Sequence, residues 1–186
     1  ARVFREKGGF DIVIGNPPYI GFHKVPDKEY NKKHYFTADG KYDFYVLFIE
    51  RALQLASKSG FISYICPSYF YKRNYGKKTR ELLLKNTSIR YIADFSDYQI
   101  FETALTYTCI FGASKIIEDK NKIRILNKNL NVKDAHEIEQ VDLTEPTWIL
   151  EKAETNAILE KIQQAAKVTF GDITESISQG IVTGNN

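Results

Sequence analysis

The stretch FDIVIGNPPYI, residues 10–20, decides the fold of this chain. Its first half contains the β-branched run Ile12-Val13-Ile14, which predicts a buried strand that ends at Gly15. Its second half places a polar and aromatic tetrapeptide directly after this strand: Asn16, Pro17, Pro18 and Tyr19. Open α/β sheets bind their ligands at the carboxyl ends of strands, so this tetrapeptide is predicted to form part of a functional site.

The chemistry of the tetrapeptide suits a flat ring that bears an amino group. The Asn16 side chain offers an acceptor oxygen, and Tyr19 offers an aromatic face. Pro17 and Pro18 lack N–H donors and have a fixed φ, so they stiffen the loop and leave its carbonyls to point into a pocket. An ordinary turn is the alternative, because Asn and Pro are common in turns. The apolar strand ahead of the loop favours the functional interpretation.

Composition is typical of a globular domain: 186 residues, 43% hydrophobic and 26% charged. No apolar run approaches the ~20 residues that span a bilayer and no signal peptide is visible, so we expect a cytoplasmic protein without membrane contact. Cys66 and Cys109 form no CxxC motif and are expected to be buried thiols. The histidines show no ligand spacing, so no metal site is predicted. The chain contains no methionine, and we expect a piece of a larger protein.

The net charge is only +3, but basic residues concentrate in one short stretch that also contains several tyrosines. The cluster consists of Lys72, Arg73, Lys77, Lys78 and Arg80. It follows a predicted strand, which favours contacts with phosphates; a solvated face is the alternative. Four lysines in the region after residue 20 have the same two interpretations: Lys24, Lys28, Lys32 and Lys33.

Beyond residue 20 the apolar spacing predicts alternating helices and strands. Predicted helices cover residues 42–56, with Gly60 as the residue after the helix end, and residues 78–85. Further strands are predicted at residues 61–66, 89–95 and 106–112, and the region 19–41 is predicted to be an irregular loop. The short link between the last two strands predicts an antiparallel pair at a sheet edge.

This order corresponds to the second half of a doubly wound α/β sheet. The first half, with a glycine-rich cofactor turn, is expected upstream, since no G-x-G-x-x-G occurs in the sequence. We therefore predict three parts: residues 1–114 as the carboxyl-terminal half of a catalytic domain, 115–166 as a connector with a helix at 153–166, and 167–186 as the start of a further domain.

Several motifs resemble those of a known family. The strand with Asn16 to Tyr19 resembles motif IV of amino-methyltransferases that use S-adenosylmethionine. Residues 41–50 resemble the next helix motif, residues 60–67 the following strand, and residues 100–111 the motif with an aromatic residue that stacks on a flipped base. GIVTGNN at the end resembles the opening of a target-recognition domain. The order is that of γ-class adenine-N6 enzymes of the Eco57I and TaqI methylase type.

The resemblance implies a Rossmann-like, site-specific DNA methyltransferase. It would transfer a methyl group from S-adenosylmethionine to N6 of a flipped adenine, within a bacterial type II restriction-modification system. Double-stranded DNA would be the partner, with an endonuclease fused or associated, and most of the cofactor site would lie upstream. The resemblance implies catalysis by Asn16, Pro17, Pro18 and Tyr19, base stacking by Tyr19 and Phe101, cofactor contacts from Asn16, Pro18 and Phe48, and DNA contacts from the basic cluster.

Two other functions remain open at this point. Protein glutamine-N5 methyltransferases also carry Asn-Pro-Pro-Tyr, because an amide nitrogen poses the same chemical problem. A DNA-binding or specificity module without turnover is compatible with the missing glycine turn. Cytosine-N4 enzymes usually have Ser where this chain has Asn16, which argues against that class.

Overall fold

The computed structural model describes residues 2–96, 107–126, 129–143 and 147–151, together with Ile158, Lys161, Ala165 and Val168. The described strands form one mixed sheet in the order β1-β2-β4-β3-β5-β6. They are β1 (Phe10–Gly15), β2 (Ala56–Pro67), β3 (Ser88–Asp94), β4 (Thr108–Ser114), β5 (Lys122–Leu126) and β6 (His136–Glu139). The helices are α1 (Arg2–Lys7), α2 (Lys28–His34), α3 (Tyr45–Leu55), α4 (Tyr69–Lys72) and α5 (Lys77–Asn86).

The sheet confirms the predicted α/β class. Strands β1 and β2 are parallel, and β4 runs antiparallel between β2 and β3. Helix α3 provides the crossover between β1 and β2 and buries Tyr45, Val46 and Ile49 on one face. The helix is confirmed, but the positions from which it was predicted, Phe44, Leu47, Phe48, Arg51 and Leu55, are not its buried face: of these only Leu47 is buried, and Arg51 is exposed. The four predicted strands and the helices at 42–56 and 78–85 are therefore confirmed to within a few residues.

Strand β1 has the predicted bounds, but the prediction that it is buried is wrong. Ile12 is 65% exposed and Ile14 is 74% exposed. The strand pairs only with β2 among the described residues, so it forms an edge of the sheet. No described residue covers the face that carries Ile12 and Ile14, so the β-branched run was not sufficient to predict burial of this strand.

The antiparallel pair of β3 and β4 is confirmed, but it does not lie at the sheet edge. Strand β5 pairs with β3 in parallel, and β6 pairs with β5 antiparallel, so two further strands extend the sheet. Both lie within residues 115–166, which were predicted to be a connector. The first of two compact units comprises Ala1–Leu150, so the connector prediction is wrong up to Leu150. The second comprises Glu151–Asn186, where the predicted helix and start of a further domain lie almost wholly outside the described residues.

Two local predictions also differ. Gly60 does not follow a helix end: α3 ends at Leu55, and Gly60 lies inside β2, where an added Cβ would stand 2.8 Å from the Phe10 carbonyl oxygen. The region 19–41 is not wholly irregular, because it contains α2. The buried carboxylate of Glu50 holds the end of this region by accepting hydrogen bonds from the backbone N–H groups of Phe36 and Thr37, at 3.1 and 2.9 Å.

Candidate active site

The loop after β1 presents the Asn16 amide at the carboxyl edge of the sheet. Asn16 is exposed, and its side chain makes no hydrogen bond to any residue that the structure describes. Pro17 is buried, and the Pro18 carbonyl accepts a hydrogen bond from the Ile20 N–H at 3.0 Å, which closes a tight turn. The Asn16 oxygen is therefore available as an acceptor on a stiff loop.

Tyr19 is half-buried and packs against the core. Its ring lies beside Cys66, Cys109 and Thr108, and burial raises its pKa to about 12. The hydroxyl therefore stays protonated at neutral pH and cannot serve as a base there. Cys66 and Cys109, which are far apart in sequence, lie directly opposite each other on β2 and β4, and both are buried as predicted.

The ends of three strands meet at this edge. Pro67 at the end of β2 lies opposite Thr108 at the start of β4. The Ser68 N–H donates to the Tyr107 carbonyl at 2.8 Å, and the Phe95 N–H donates to the Thr108 carbonyl at 2.9 Å. Ser96 and Tyr107, the described residues on either side of segment 97–106, therefore lie at this edge. Phe101, the predicted base-stacking residue, belongs to this segment and lies outside the described residues.

Two aromatic residues at this edge had no role of their own in the sequence prediction: Tyr69 was noted only as one of the tyrosines interleaved with the basic cluster, and Tyr107 only as part of a predicted strand. Tyr69 and Tyr107 pack edge to face with ring centroids 5.7 Å apart, and Tyr107 is 49% exposed. The Arg73 guanidinium lies 5.5 Å from the centre of the Tyr69 ring. The sequence could have indicated both residues, because each lies directly beside a strand end, where the loops of such sheets carry functional residues.

The structure separates the members of the basic cluster. Arg73 and Lys77 are exposed, whereas Lys72 forms an ion pair of 2.7 Å with Asp94. Burial alone would raise the pKa of Asp94, but hydrogen bonds from Lys72 and Ser96 lower it on balance. Lys78 lies over the Phe36 ring and pairs with Glu81 at 3.3 Å, so two of the cations are already partly engaged.

Arg80 does not belong to this surface, which corrects the prediction that it contacts DNA. Its side chain is fully buried, and its guanidinium donates to the carbonyls of Phe70 and Arg73 at 2.7 and 2.9 Å. These bonds hold α4 and the turn that follows it against α5. A buried guanidinium engaged with backbone carbonyls is a structural group, so Arg80 is dropped from the set of proposed phosphate contacts.

The remaining predicted cofactor residue, Phe48, lies on α3, is half-buried and packs edge to face on Phe44 at 5.3 Å. With Asn16 and Pro18 it would provide only part of a cofactor site, because the chain contains no glycine-rich turn. Among the described residues, no helix is long and apolar enough to cross a membrane, and no group of His, Cys, Asp or Glu side chains forms a metal site.

The six-stranded α/β sheet has a Rossmann-like fold, which it shares with solved methyltransferase structures. A putative class I S-adenosylmethionine-dependent methyltransferase from Listeria monocytogenes superposes with a TM-score of 0.53 at 19% identity, over 83% of this chain and 42% of that one. The type ISP restriction-modification enzyme LlaGI, solved with a DNA substrate mimic, gives a TM-score of 0.56 at 17% identity, over 84% of this chain and 20% of that one.

The sequence comparison defines the family. The profile of the Eco57I restriction-modification methylase matches residues 1–101, more than half of the chain, so the chain belongs to that family. The type II restriction enzyme and methyltransferase RM.Eco57I of Escherichia coli is 32% identical over 95% of this chain and 19% of that protein. The type II methyltransferase M.BstVI of Geobacillus stearothermophilus is 38% identical over 62% and 21%. The chain thus spans about one fifth of the length of these curated relatives.

Proposed function

We propose that this chain is the target-base half of a DNA adenine-N6 methyltransferase of a type II restriction-modification system. The observation that carries the proposal is the exposed Asn16 amide, which lacks a hydrogen-bond partner among the described residues and follows the end of β1 beside the half-buried ring of Tyr19. Membership of a restriction-modification methylase family supports the same activity. A cytoplasmic location, with double-stranded DNA as the partner, accompanies this proposal.

Methylation of adenine requires help because the N6 lone pair is delocalised into the ring. The Asn16 oxygen and the Pro17 carbonyl would accept the two N–H hydrogens of the amino group. As the nitrogen becomes pyramidal, its lone pair turns toward the methyl donor and positive charge develops on it. Acceptors that are fixed before the reaction stabilise this charge mainly in the transition state, so they accelerate the chemical step.

A base within a duplex cannot reach this loop, so the target must be extruded, which costs a few kcal/mol. Stacking on an aromatic ring restores about 1–3 kcal/mol. Tyr19 would provide one face of the clamp, since its ring is held by the core, and Phe101 would provide the other. The protonated Tyr19 hydroxyl takes no part in proton transfer.

The cofactor would bind only partly to this chain. S-adenosylmethionine, when bound, supplies the electrophilic methyl group. Phe48 would provide an apolar wall for it, and Asn16 and Pro18 would border the reacting methyl. The remaining contacts would come from outside these residues, and the open edge and exposed isoleucines of β1 are compatible with a further strand and helix packing there.

Phosphate contacts would come from the exposed Arg73 and Lys77, with Lys72 and Lys78 nearby. Lys72 ends α4, and the other three residues follow it. Because α4 begins beside the carboxyl end of β2, these residues lie at the same edge of the sheet as Asn16. An endonuclease fused to or associated with the methyltransferase is proposed as well, since RM.Eco57I is described as both a restriction enzyme and a methyltransferase.

Product identification tests the reaction class. The full-length protein is incubated with S-adenosylmethionine labelled in the methyl group and with genomic DNA, and the DNA is then digested to nucleosides for mass spectrometry. The proposal requires labelled N6-methyladenine. Label in N4-methylcytosine, or in glutamine side chains of added protein substrates instead of DNA, would contradict it, and binding of DNA without any transfer would identify a module without turnover.

A further inference from the structure

We propose that Asp43 is a positioning residue that fixes the Asn16–Tyr19 loop and ties it to the segment that carries Arg73 and Lys77. The inference rests on the proposed function, because the loop is assigned there to the target amine. Asp43 lies in the turn that leads into α3 and is half-buried. Each of its two carboxylate oxygens binds a different part of the site.

The first oxygen holds the chain that follows Tyr19. Asp43 Oδ1 accepts a hydrogen bond from the Phe22 N–H at 3.2 Å. The next residue adds a second bond to the same stretch of chain, since the Phe44 N–H donates to the Ile20 carbonyl at 2.9 Å. Together with the turn between Pro18 and Ile20, these bonds fix the backbone on the carboxyl side of the four loop residues, so the loop cannot shift as a unit without breaking them.

The second oxygen reaches the other side of the site. The Tyr75 hydroxyl donates to Asp43 Oδ2 at 2.7 Å and lies 3.3 Å from the Tyr45 hydroxyl. Burial raises the pKa of Tyr75, so this donor stays protonated throughout the physiological range. Tyr75 lies in the turn at Asn74–Gly76 between α4 and α5, directly between Arg73 and Lys77. One carboxylate therefore links the proposed base pocket to the proposed phosphate contacts.

This arrangement predicts an effect on the chemical step and not on binding. Acceptors for a developing charge must be held close to their productive positions, and a misplacement of about 1 Å can cost about a hundredfold in rate. If the bond merely stabilised the fold, its loss would lower the unfolding temperature and leave the rate of methyl transfer unchanged. The two roles are separated by measuring both quantities on the same variant.

Tyr75→Phe in the full-length protein removes one hydroxyl and keeps the ring. We expect the single-turnover rate of adenine methylation to fall by about tenfold to a hundredfold, with unchanged dissociation constants for DNA and S-adenosylmethionine. Tyr91→Phe is the matched control. Tyr91 is also half-buried and its hydroxyl lies 2.8 Å from the Ser63 hydroxyl, but it belongs to β3, which two strands separate from β1. Tyr91→Phe should methylate adenine at the wild-type rate, and its unfolding temperature should change by about as much as that of Tyr75→Phe.

Asp43→Asn provides the second variant, because an amide has one acceptor oxygen where the carboxylate has two. It should slow transfer at least as much as Tyr75→Phe, and the double variant should be no slower than Asp43→Asn alone, since both changes break one linkage. A rate for Tyr75→Phe equal to that of Tyr91→Phe, or additive losses in the double variant, would overturn the inference. If the wild type forms N6-methyladenine and needs Asn16 while Tyr75→Phe keeps the wild-type rate, only the proposed role of Asp43 is wrong. If the wild type forms no N6-methyladenine, the proposed function itself is wrong.

Discussion

Asp94 and Arg80 are charged residues near the candidate site, and the structural role of each can be measured separately from methyl transfer. Asp94 at the end of β3 has a lowered pKa because Lys72 and Ser96 donate to it, in spite of its burial. A carboxyl whose pKa is lowered in the folded state contributes stability above its unfolded pKa of about 3.9 and loses it as the pH falls through the folded value. The stability of the wild type should therefore depend on pH in this acidic range.

Comparison with Asp94→Asn isolates this contribution. The difference in unfolding temperature between the two proteins should be constant from about pH 5 to pH 7 and should shrink as the pH falls below about 4. Lys72→Gln should make the unfolding temperature less dependent on pH in this range, because it removes the cation that pairs with Asp94. Thermal unfolding followed by circular dichroism measures both. A difference that is independent of pH would show that the ion pair does not lower the pKa of Asp94.

Arg80 gives a second prediction at the same scale. Arg80→Ala removes the guanidinium donor from the buried Phe70 carbonyl, at a cost of about 1–3 kcal/mol, whereas the Arg73 carbonyl keeps the Gly76 N–H as a donor at 3.1 Å. Lys77→Ala, three residues earlier and exposed, is the control and should change the free energy of unfolding by no more than about 0.5 kcal/mol. Equal stabilities of the two variants in urea would contradict the buried role of Arg80.

At the level of elements, periodicity predicted those parts that obey local rules. Helix α3 repeats apolar residues with a helical spacing and β2 alternates, whereas β3 and β4 are short segments buried on both faces. Helix α2 was missed because its sequence KEYNKKH has no apolar stripe. The Asn31 side chain donates to the Pro26 carbonyl just before the helix at 2.8 Å, a local contact that apolar periodicity does not reveal. Strands β5 and β6 were missed because short apolar pieces among charges have no distinctive period.

The candidate site shows the same division. The Asn16–Tyr19 loop could be proposed from the sequence because its residue types suit one kind of chemistry and a strand precedes it. Asp43, Tyr75 and the buried state of Arg80 were not found, since each depends on which distant segments meet in the fold. The basic cluster illustrates the consequence. Its five cations are close in sequence, but the structure buries Arg80 and pairs Lys72 and Lys78 with carboxylates, whereas Arg73 and Lys77 are exposed and form no ion pair with a described residue.

This separation predicts how α4 and α5 contribute to DNA binding. Arg73→Gln with Lys77→Gln should weaken the affinity of the full-length protein for all DNA sequences alike, because phosphate contacts carry no sequence information. The plot of log affinity against log salt should flatten by about 0.9 for each phosphate that the variant no longer neutralises. Adding Lys72→Gln and Lys78→Gln should weaken binding less than the first pair did.

A charge-matched control uses Lys58→Gln with Lys85→Gln. Both lysines lie away from Asn16, one near the start of β2 and the other near the end of α5. This pair removes the same charge and should leave the salt slope unchanged. Equal effects of the two pairs would show that only net charge matters, and the DNA would then have to contact another surface.

At the scale of the whole molecule, the chain is proposed to provide one side of a site. The 186 residues contain the proposed target-base loop but no glycine-rich turn, and no described residue covers the exposed isoleucines of β1. We therefore expect the isolated chain to bind S-adenosylmethionine weakly or not at all, while a longer protein that contains it binds the cofactor. Titration calorimetry measures both, and a low-micromolar dissociation constant for the isolated chain would contradict the division of the site.

The most direct test of the central claim is Asn16→Ala in the full-length protein, with Asn86→Ala as the control. Asn86 is exposed at the end of α5, and its side chain donates to the Leu82 carbonyl. Because Asn16 is proposed to act on charge that develops in the transition state, its loss should lower the single-turnover rate of methyl transfer by about 10²–10³-fold and leave DNA affinity unchanged. Transfer at the rate of Asn86→Ala would contradict the account.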